Sequence, residues 1–357
     1  MPTALLNQQQ IETNARDIAS KLEAVQSLIQ NQQFAKALDA LQPLLETYPN
    51  EPEGLYLAAV CQRYTKQYKS ALDTLARLKA VQPEHGRAHQ EQAHNFRALG
   101  DISKALDAYE RACFYNPALE ASFRTRIKLH NDRGETAQAH RVKQQLEGLL
   151  ALPKPLIAVV DLISMGKLLR AEDICRQFLK KVPHHVEGMR LLADIGMRLG
   201  ILEDAEFLLQ SANQLAPDNI RVHIDYIQVL RKRQQHSAAL KQAQALLEQE
   251  PVNPQFQSIY AVQCMQSGDF DEALETFEGI LKTLPGDPIT LTSKGHALKT
   301  KGDSASAIKS YQEAIAAYPS HGEAFYSLAN LKTYRFSEEE INNMLKLQRD
   351  DNLTFME

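Results

Sequence analysis

The stretch from Gly268 to Pro285, GDFDEALETFEGILKTLP, carries apolar residues every three or four positions, and acidic residues lie between them. This spacing predicts an amphipathic α-helix that buries one face. The Gly-Asp pair predicts a turn and a helix start, and the proline predicts the stop. We therefore expect a turn followed by one short helix.

The same pattern recurs along the chain in the register of its alanine. The alanines are Ala37, Ala71, Ala105, Ala139, Ala171, Ala205, Ala239, Ala273 and Ala307. Successive alanines are 34 residues apart, except for the 32 residues between the fourth and the fifth. Twelve residues after eight of the nine alanines stands a proline. These prolines are Pro49, Pro83, Pro117, Pro183, Pro217, Pro251, Pro285 and Pro319. Such a register predicts an array of similar units rather than one globular core.

A 34-residue period with these alanines and prolines resembles the tetratricopeptide repeat (TPR), over about residues 18 to 336. The resemblance implies an all-α fold, a right-handed TPR superhelix (an α-solenoid) of about nine helical hairpins with a C-terminal capping helix. The alanine would let the second helix of a hairpin cross the first closely. The proline would end the second helix, because it cannot continue the hydrogen-bond ladder.

Other positions agree with a helical hairpin. Six of the nine units carry glycine five residues before the alanine, where a left-handed residue would end the first helix. These are Gly100, Gly134, Gly166, Gly200, Gly268 and Gly302. A small residue lies twelve before the alanine in Ala59, Ala93, Ala193, Ala261 and Gly295. The aromatic residue common near the start of a TPR is replaced by Leu55, Phe123, Met189 and Leu291.

The fourth unit departs from the pattern. It is two residues short and has no terminal proline, and Pro153 and Pro155 fall at the slip. Lys143 stands where other units have an aromatic residue, such as Tyr109 or Phe277. We predict either a bend or hinge there, or an irregular connection between helices. The predicted divisions are an N-terminal helix or flexible lead-in, repeats one to four, repeats five to nine, and a terminal helix pair that caps the array, at residues 1–17, 18–151, 152–321 and 322–357.

The C-terminal segment carries a second resemblance. Ser337 and Glu340 form a capping-box signature for a last helix. The segment from Ala324 to Ile341 resembles the junction that ends the repeat array in bacterial TPR-sulfotransferases. The residues outside the TPR pattern that carry this resemblance are Asn330, Lys332, Thr333, Arg335 and Phe336. It implies a non-catalytic, substrate-recruiting region of an enzyme that transfers sulfuryl groups from 3′-phosphoadenosine 5′-phosphosulfate (PAPS) to hydroxyls, in some members to a protein tyrosine.

No catalytic motif occurs in the sequence itself. The P-K-x-G-[ST] loop that binds PAPS in that family has one look-alike, LPKPL at Leu152 to Leu156, which lacks its glycine and hydroxyl residue. We therefore expect no catalytic, cofactor-binding or metal-binding residues here, and PAPS only in a downstream domain. Whether the parent protein is an enzyme stays open. The alternative is a stand-alone bacterial adaptor that assembles protein complexes.

Composition is that of a soluble protein: 44% hydrophobic residues, 24% charged residues and a net charge of −4. This charge does not favour a nucleic-acid partner. The N-terminus lacks a secretory signal pattern and the longest apolar run is interrupted by two prolines and a lysine, so we expect a cytoplasmic location and no membrane partner. Four widely spaced cysteines are expected to be buried thiols. They are Cys61, Cys113, Cys175 and Cys264.

The first helices of TPR hairpins line a concave groove, which repeat positions 2, 5, 9, 12 and 13 face. The basic residues at these positions are Arg63, Arg87, Arg97, Arg124, Lys128, Arg190, Arg198, Arg221, Arg231, Lys232 and Lys299. The acidic ones are Glu53, Asp132, Glu187, Asp194 and Glu323. Eleven bases against five acids predict a groove of about +6 that binds an acidic peptide or protein. Tyr56 and Tyr64 face the same groove. Self-association through this face is the remaining alternative.

Two further patterns concern a metal site and a glycosyltransferase-type array. His85, His89 and His94 are predicted to be surface residues, because no cysteine or carboxylate joins them at a metal-ligand spacing. The asparagine ladder of glycosyltransferase TPR arrays is absent at position 6. That position holds Leu57, Glu91, Thr125, Ile157, Leu191 and Asp225.

Overall fold

The computed structural model describes residues 2–348, and side chains from residue 16 onwards. Regular structure in this part of the chain is entirely α-helical, which confirms the predicted class. The helices are α1 (Pro2–Gln30), α2 (Phe34–Thr47), α3 (Pro52–Tyr64), α4 (Tyr68–Val81), α5 (Gly86–Ala98), α6 (Ile102–Tyr115), α7 (Glu120–Asp132), α8 (Thr136–Leu150), α9 (Lys154–Ser164), α10 (Leu168–Lys181), α11 (Val186–Leu199), α12 (Leu202–Leu215), α13 (Ile220–Lys232), α14 (His236–Gln249), α15 (Pro254–Ser267), α16 (Phe270–Thr283), α17 (Pro288–Lys301), α18 (Ser304–Ala317), α19 (Gly322–Asn330) and α20 (Glu338–Leu347).

Consecutive helices from α1 to α18 form the nine predicted hairpins, and each periodic alanine lies on a second helix. All nine alanines are buried, so the helices of a hairpin approach closely at that point. The periodic prolines follow the second helices by two residues; α16, for example, ends at Thr283 and Pro285 follows. α8 has no such proline and continues to Leu150. The repeat residues therefore act as predicted.

The loop inside each hairpin contains one left-handed residue. The six predicted glycines have φ between +69° and +97°. In the other three hairpins the same position is held by Gln32, Lys66 and Gln234, with φ of 59°, 63° and 59°. The loop geometry is thus common to all nine hairpins, although only six have the residue that adopts it without strain.

The chain divides into two compact units between Phe178 and Leu179, inside α10. The predicted division lies earlier, at the slip in the fourth unit. There, Pro153 precedes α9 and Pro155 lies in its first turn, where a missing N–H group costs no helical hydrogen bond. The two prolines therefore start a helix and do not interrupt one. Residue 1 and residues 349–357 of the predicted lead-in and capping regions lie outside the described residues.

Polar contacts join neighbouring hairpins at repeat position 4. His89 Nε2 lies 2.9 Å from the carbonyl oxygen of Pro83, and His223 Nε2 lies 2.6 Å from that of Pro217. In α15, Gln257 holds position 4, and its Nε2 donates to the carbonyl oxygen of Pro251 at 2.9 Å. The prediction of a surface residue is wrong for His89, which is 3% exposed. Its position is the one that Leu55, Phe123, Met189 and Leu291 fill elsewhere, and all of these are buried.

The C-terminal end of the second unit contains the predicted capping box. The Ser337 hydroxyl accepts from the Glu340 N–H, and the Glu340 carboxylate accepts from the Ser337 N–H. Tyr334 and Phe336 pack against the core of the last hairpin. α20 itself has no buried residue. All four cysteines are buried thiols, as predicted, and burial raises the pKa of Cys61 and Cys113 to about 11. No described helix combines the length and the apolar composition needed to cross a membrane.

Candidate functional site: the first-helix face

We call first-helix face the surface formed by repeat positions 2, 5, 9, 12 and 13 of the first helices. In the first unit these helices are α3, α5, α7 and α9; in the second they are α11, α13, α15, α17 and α19. Some successive first helices contact one another: α3 contacts α5 in the first unit, and in the second unit α11 contacts α13 and α15 contacts α17. Their side chains are therefore close enough to interact from one hairpin to the next.

Three predicted groove arginines of the first unit have carboxylate partners. Arg63 in α3 holds Glu91 in α5 by a two-point bond through Nε and Nη2. Arg87 in α5 pairs with Asp161 in α9 at 2.7 Å. Arg124 pairs within α7 at 2.7 Å with a glutamate one turn earlier. The first two ion pairs join different hairpins and are partly shielded from water.

The second unit has a similar arrangement. Arg190 lies between Glu187, at 2.8 Å, and Asp225 of the next hairpin, at 2.7 Å. Burial opposes the charge on Arg190, but the bonds from these two carboxylates outweigh it, so its pKa lies above the ordinary value. Arg198 pairs with Asp194 at 3.0 Å, and Arg221 reaches Glu187 at 3.8 Å. These arginines serve contacts within and between hairpins.

The ion pairs correct the predicted charge of the face. Six of the eleven predicted bases have a carboxylate partner, and four of the partner acids lie outside the counted positions. They are Glu91, Glu120, Asp161 and Asp225. With them, nine acids accompany the eleven bases, so the excess falls from about six charges to two. Glu91 and Asp225 stand at repeat position 6, next to the counted position 5. Including position 6 in the count would have identified both acids from the sequence.

Tyr56 belongs to the same network in the first unit. Its ring lies 5.4 Å from the ring of His85, and it interacts with Arg87. Burial raises the pKa of Tyr56 to about 12, and the Glu91 carboxylate adds to this effect. Neighbours within the protein therefore hold Tyr56 on the first-helix face.

The remaining bases of the face have no ion-pair partner within the described part of the chain. They are Arg97 and Lys128 in the first unit, and Arg231, Lys232 and Lys299 in the second. Of these, Arg97 lines a pocket.

This pocket, which we call the Arg97 pocket, has a volume of about 320 Å³ and lies where α3, the loop before α4, and α5 meet. Its lining residues are Arg63, Tyr64, Lys66, Tyr68, His94, Arg97 and Ala98. It brings together three of the predicted groove residues: Arg63, Tyr64 and Arg97. The other four were not predicted: Lys66 and Tyr68 lie in and just after the hairpin loop, Ala98 is uncharged, and the sequence predicts a surface position for His94.

Arg63 is held in one orientation at this pocket. Glu91 binds Nε and Nη2 of its guanidinium group, which leaves Nη1 outside the two-point bond. The guanidinium carbon lies 4.3 Å from the centre of the Tyr64 ring. Tyr64 in turn stacks on Phe34, with ring centres 4.1 Å apart and planes within 4°. The Arg63 side chain is therefore positioned before any ligand arrives.

His94 adds no charge to the pocket at neutral pH. Its Nδ1 lies 2.7 Å from the hydroxyl of Tyr109. Burial, together with the charges of Arg63 and Arg97, lowers the pKa of His94 to about 4. Since Glu91 balances Arg63, the net positive charge of the pocket comes from Arg97 and Lys66. The arrangement offers an anionic group charged donors from three elements: α3, the loop before α4, and α5.

Comparisons with known proteins match three segments of the chain to TPR families. Residues 175–290 match the family model described as cytochrome c-type biogenesis protein H TPR domain. Residues 28–95 and residues 292–331 each match a tetratricopeptide-repeat model. A search of curated proteins found no match.

Solved structures with a similar fold include a crystal structure of MamA, 21% identical, which covers 44% of this chain and 93% of that chain with a TM-score of 0.40. MamA from Desulfovibrio magneticus RS-1 is 14% identical and covers 46% and 94%, with a TM-score of 0.42. YrrB, described as a TPR protein with an unusual peptide-binding site, is 17% identical and covers 62% of this chain and 98% of that chain, with a TM-score of 0.40. The family models and the nine hairpins together show that the chain is a tetratricopeptide-repeat protein.

Proposed function

We propose that this TPR protein is a protein-interaction scaffold that binds an acidic peptide or protein segment on its first-helix face. The Arg97 pocket of the first unit anchors the ligand. The observation that carries the proposal is the charge of this pocket: Arg97 and Lys66 line it without a carboxylate partner, beside an Arg63 that Glu91 already orients. A carboxylate of the ligand would supply the missing partner.

Elementary electrostatics favours an acidic ligand. A carboxylate in the pocket forms charge-assisted hydrogen bonds with guanidinium and ammonium donors, which are stronger than bonds between neutral groups. Because the Arg63 side chain is already ordered, less conformational entropy is lost on binding. In the second unit Arg231, Lys232 and Lys299 are further unpaired bases of the first-helix face, and they extend the same preference there.

The test is the binding of a fluorescein-labelled peptide rich in Glu and Asp around a tyrosine, measured by fluorescence polarisation. We expect micromolar affinity at about 50 mM salt and weakening towards about 500 mM, because exposed charges are screened. Arg97→Gln should weaken binding about three- to tenfold. The matched control is Arg141→Gln, which removes an exposed arginine from α8, a second helix of the same unit.

Two results would contradict the proposal. One is binding that does not change with salt. The other is an equal effect of the two substitutions, since that would point to the overall charge and not to the pocket. An uncharged peptide of the same length serves as the blank.

We further propose that the scaffold recruits substrate for a PAPS-dependent sulfotransferase, with a tyrosine of an acidic protein segment as the acceptor. Support comes from the end of α19 and the segment after it, where Asn330, Lys332 and Arg335 match the junction of that family. All three are exposed, so packing does not demand them. An acidic acceptor also suits the Arg97 pocket. Translation of the reading frame beyond Glu357 tests this: a P-K-x-G-[ST] loop between a strand and a helix supports it.

The alternative is an adaptor without an attached enzyme, and a reading frame that encodes no such loop would favour it. Self-association through the first-helix face is addressed by light scattering across a hundredfold range of protein concentration. A constant monomer mass would exclude self-association in that range and leave the face free for a ligand.

A further inference from the structure

The Arg97 pocket has more positive charge than one carboxylate balances. Arg63 is neutralised by Glu91, and His94 is uncharged near neutral pH because burial lowers its pKa to about 4. Arg97 and Lys66 therefore contribute two uncompensated charges. A single Glu or Asp side chain would leave one of these charges without a partner.

The donors of the pocket also come from different elements. Arg63 is near the end of α3, Lys66 is in the loop of the second hairpin, and Arg97 is near the end of α5. All three line one space of about 320 Å³, which is much larger than a carboxylate group. Three separate charged donors suit a tetrahedral group with three acceptor oxygens better than a planar carboxylate with two.

Lys66 has a backbone conformation that is unusual for a residue with a side chain. Its φ of 63° is the left-handed conformation that glycine adopts in six of the nine hairpins. A lysine there carries a conformational cost that glycine would avoid. The side chain lines the pocket, so a cation is kept at a strained position.

We propose that the Arg97 pocket selects a dianionic phosphate ester, so that the preferred ligand is a peptide or protein segment with a phosphorylated side chain. This inference rests on the proposed binding of acidic segments and names the group that the same site prefers. A phosphate monoester carries a charge of about −1.5 to −2 at pH 7, which matches Arg97 and Lys66 together, and its oxygens can accept from both and from Nη1 of Arg63.

The test uses peptides of one neutral sequence that differ only at a central residue: phosphotyrosine, sulfotyrosine, glutamate or tyrosine. We expect the phosphotyrosine peptide to bind at least tenfold more tightly than the glutamate peptide at pH 7.5. Sulfotyrosine, which has the same aromatic ring but one charge, should lie between them. Phosphotyrosine and sulfotyrosine have the same ring and the same number of oxygens, so a difference in affinity between these two peptides reports the charge.

The pH dependence adds an independent readout. Phosphotyrosine loses its second charge near pH 6, so its affinity should fall between pH 7.5 and pH 5.5. Sulfotyrosine stays a monoanion across this range and its affinity should stay constant. His94 stays neutral in the same range and does not obscure the comparison.

Two variants of Lys66 separate binding from folding. Lys66→Gln keeps the left-handed position with a residue that Gln32 and Gln234 show to be tolerated there, and it should reduce the preference for phosphotyrosine over glutamate at least fivefold. Lys66→Gly should have the same effect on binding while it raises thermal stability. Arg141→Gln is the control and should leave the preference unchanged.

The outcomes distinguish this inference from the proposed function. Equal affinity for the phosphotyrosine and glutamate peptides, or tighter binding of sulfotyrosine, overturns the selection of a dianion. If the peptide rich in Glu and Asp still binds in a salt-dependent manner, the proposed function survives that result. If neither the peptide rich in Glu and Asp nor the phosphotyrosine peptide binds, the proposed function and the selection of a dianion are both overturned.

Discussion

Arg87 and Asp161 form an ion pair that joins the third hairpin directly to the fifth. Nη2 of Arg87 donates to both oxygens of Asp161, at 2.7 and 3.0 Å, and the amide of Asn116 donates to Oδ1 at 2.8 Å. The pair spans 74 residues and bypasses the fourth hairpin, which is the unit that lacks two residues. The irregular repeat is therefore accompanied by a specific contact that ties α9 to α5.

This contact should contribute to the stability of the first unit. Asp161→Asn removes the charge while it keeps the shape of the side chain, and half-buried charged hydrogen bonds contribute about 1–3 kcal/mol each. We expect a loss of about 1–2 kcal/mol of unfolding free energy in urea titrations followed by circular dichroism. Asp132→Asn, an exposed carboxylate on α7, should change it by less than about 0.5 kcal/mol. Equal losses would contradict the role of the ion pair.

The strained hairpin loops predict a stabilising substitution. Gln234 has a φ of 59°, so Gln234→Gly should relieve a left-handed conformation that costs a side-chain-bearing residue about 1–2 kcal/mol. Part of this gain is offset by the greater freedom of glycine in the unfolded chain, and we expect a net gain of about 0.5–1 kcal/mol. The reverse exchange, Gly200→Ala, should destabilise by about 1 kcal/mol, because its φ is 80°. Calorimetry that gives both changes the same sign would refute this account.

Buried His89 predicts a specific loss of stability in acid. Burial, and to a smaller extent Lys79 and Arg111, lower its pKa to about 4, whereas the unfolded value is near 6.5. The unfolded chain therefore binds more protons in this window, and stability falls as the pH drops through it. His89→Gln keeps the bond to the Pro83 carbonyl, as Gln257 shows at the same repeat position, but it cannot titrate.

The comparison is made between pH 7 and pH 4.5. The wild-type protein should lose about 2–3 kcal/mol more unfolding free energy than His89→Gln over this interval, measured in urea at each pH. The control is His140→Gln, which replaces an exposed histidine on α8 and should leave the wild-type pH dependence unchanged. A parallel dependence for the wild type and His89→Gln would show that His89 does not titrate as described.

Gly295 lies at a tight crossing between α17 and α18. A Cβ atom there would lie 2.7 Å from Cδ1 and 2.8 Å from Cζ of Tyr311, a fully buried ring. Gly295→Ala should therefore destabilise the second unit by about 1–3 kcal/mol through overpacking. The third hairpin accommodates Ala93 with Tyr109 at the same positions, so the chain should still fold.

The matched control is Gly279→Ala on α16. An added Cβ meets nothing within 4 Å there, and alanine is the better helix former, so this substitution should stabilise by up to about 1 kcal/mol. Thermal unfolding of both variants gives the two signs. A stabilising effect of Gly295→Ala would mean that the Tyr311 ring shifts without cost.

The repeat positions were predictable because their causes are local. Pro285 cannot continue a helix, Gly268 accepts a left-handed backbone, and Ala273 leaves space at a crossing that recurs every 34 residues. Each of these requirements is set within one hairpin or between adjacent ones, so the period alone reveals it. The left-handed Lys66 escaped the prediction, because the residue type there does not indicate its conformation.

The charge of the first-helix face was less predictable. Counting positions identified Arg63 and Arg190 as exposed bases, but their partners Glu91 and Asp225 stand in the next hairpin, 28 and 35 residues away. The Arg97 pocket depends equally on residues from three elements, and only the packing of α3 against α5 brings them together.

The amino-acid sequence by itself determined the hairpins, their number and their loops, because helix formation and helix crossing depend on short-range sterics and on a period that repeats. Tertiary structure decided which charges are neutralised and which stay free. An ion pair forms over a few ångströms in space, so a distance such as that between Arg87 and Asp161 becomes short only after the helices have packed.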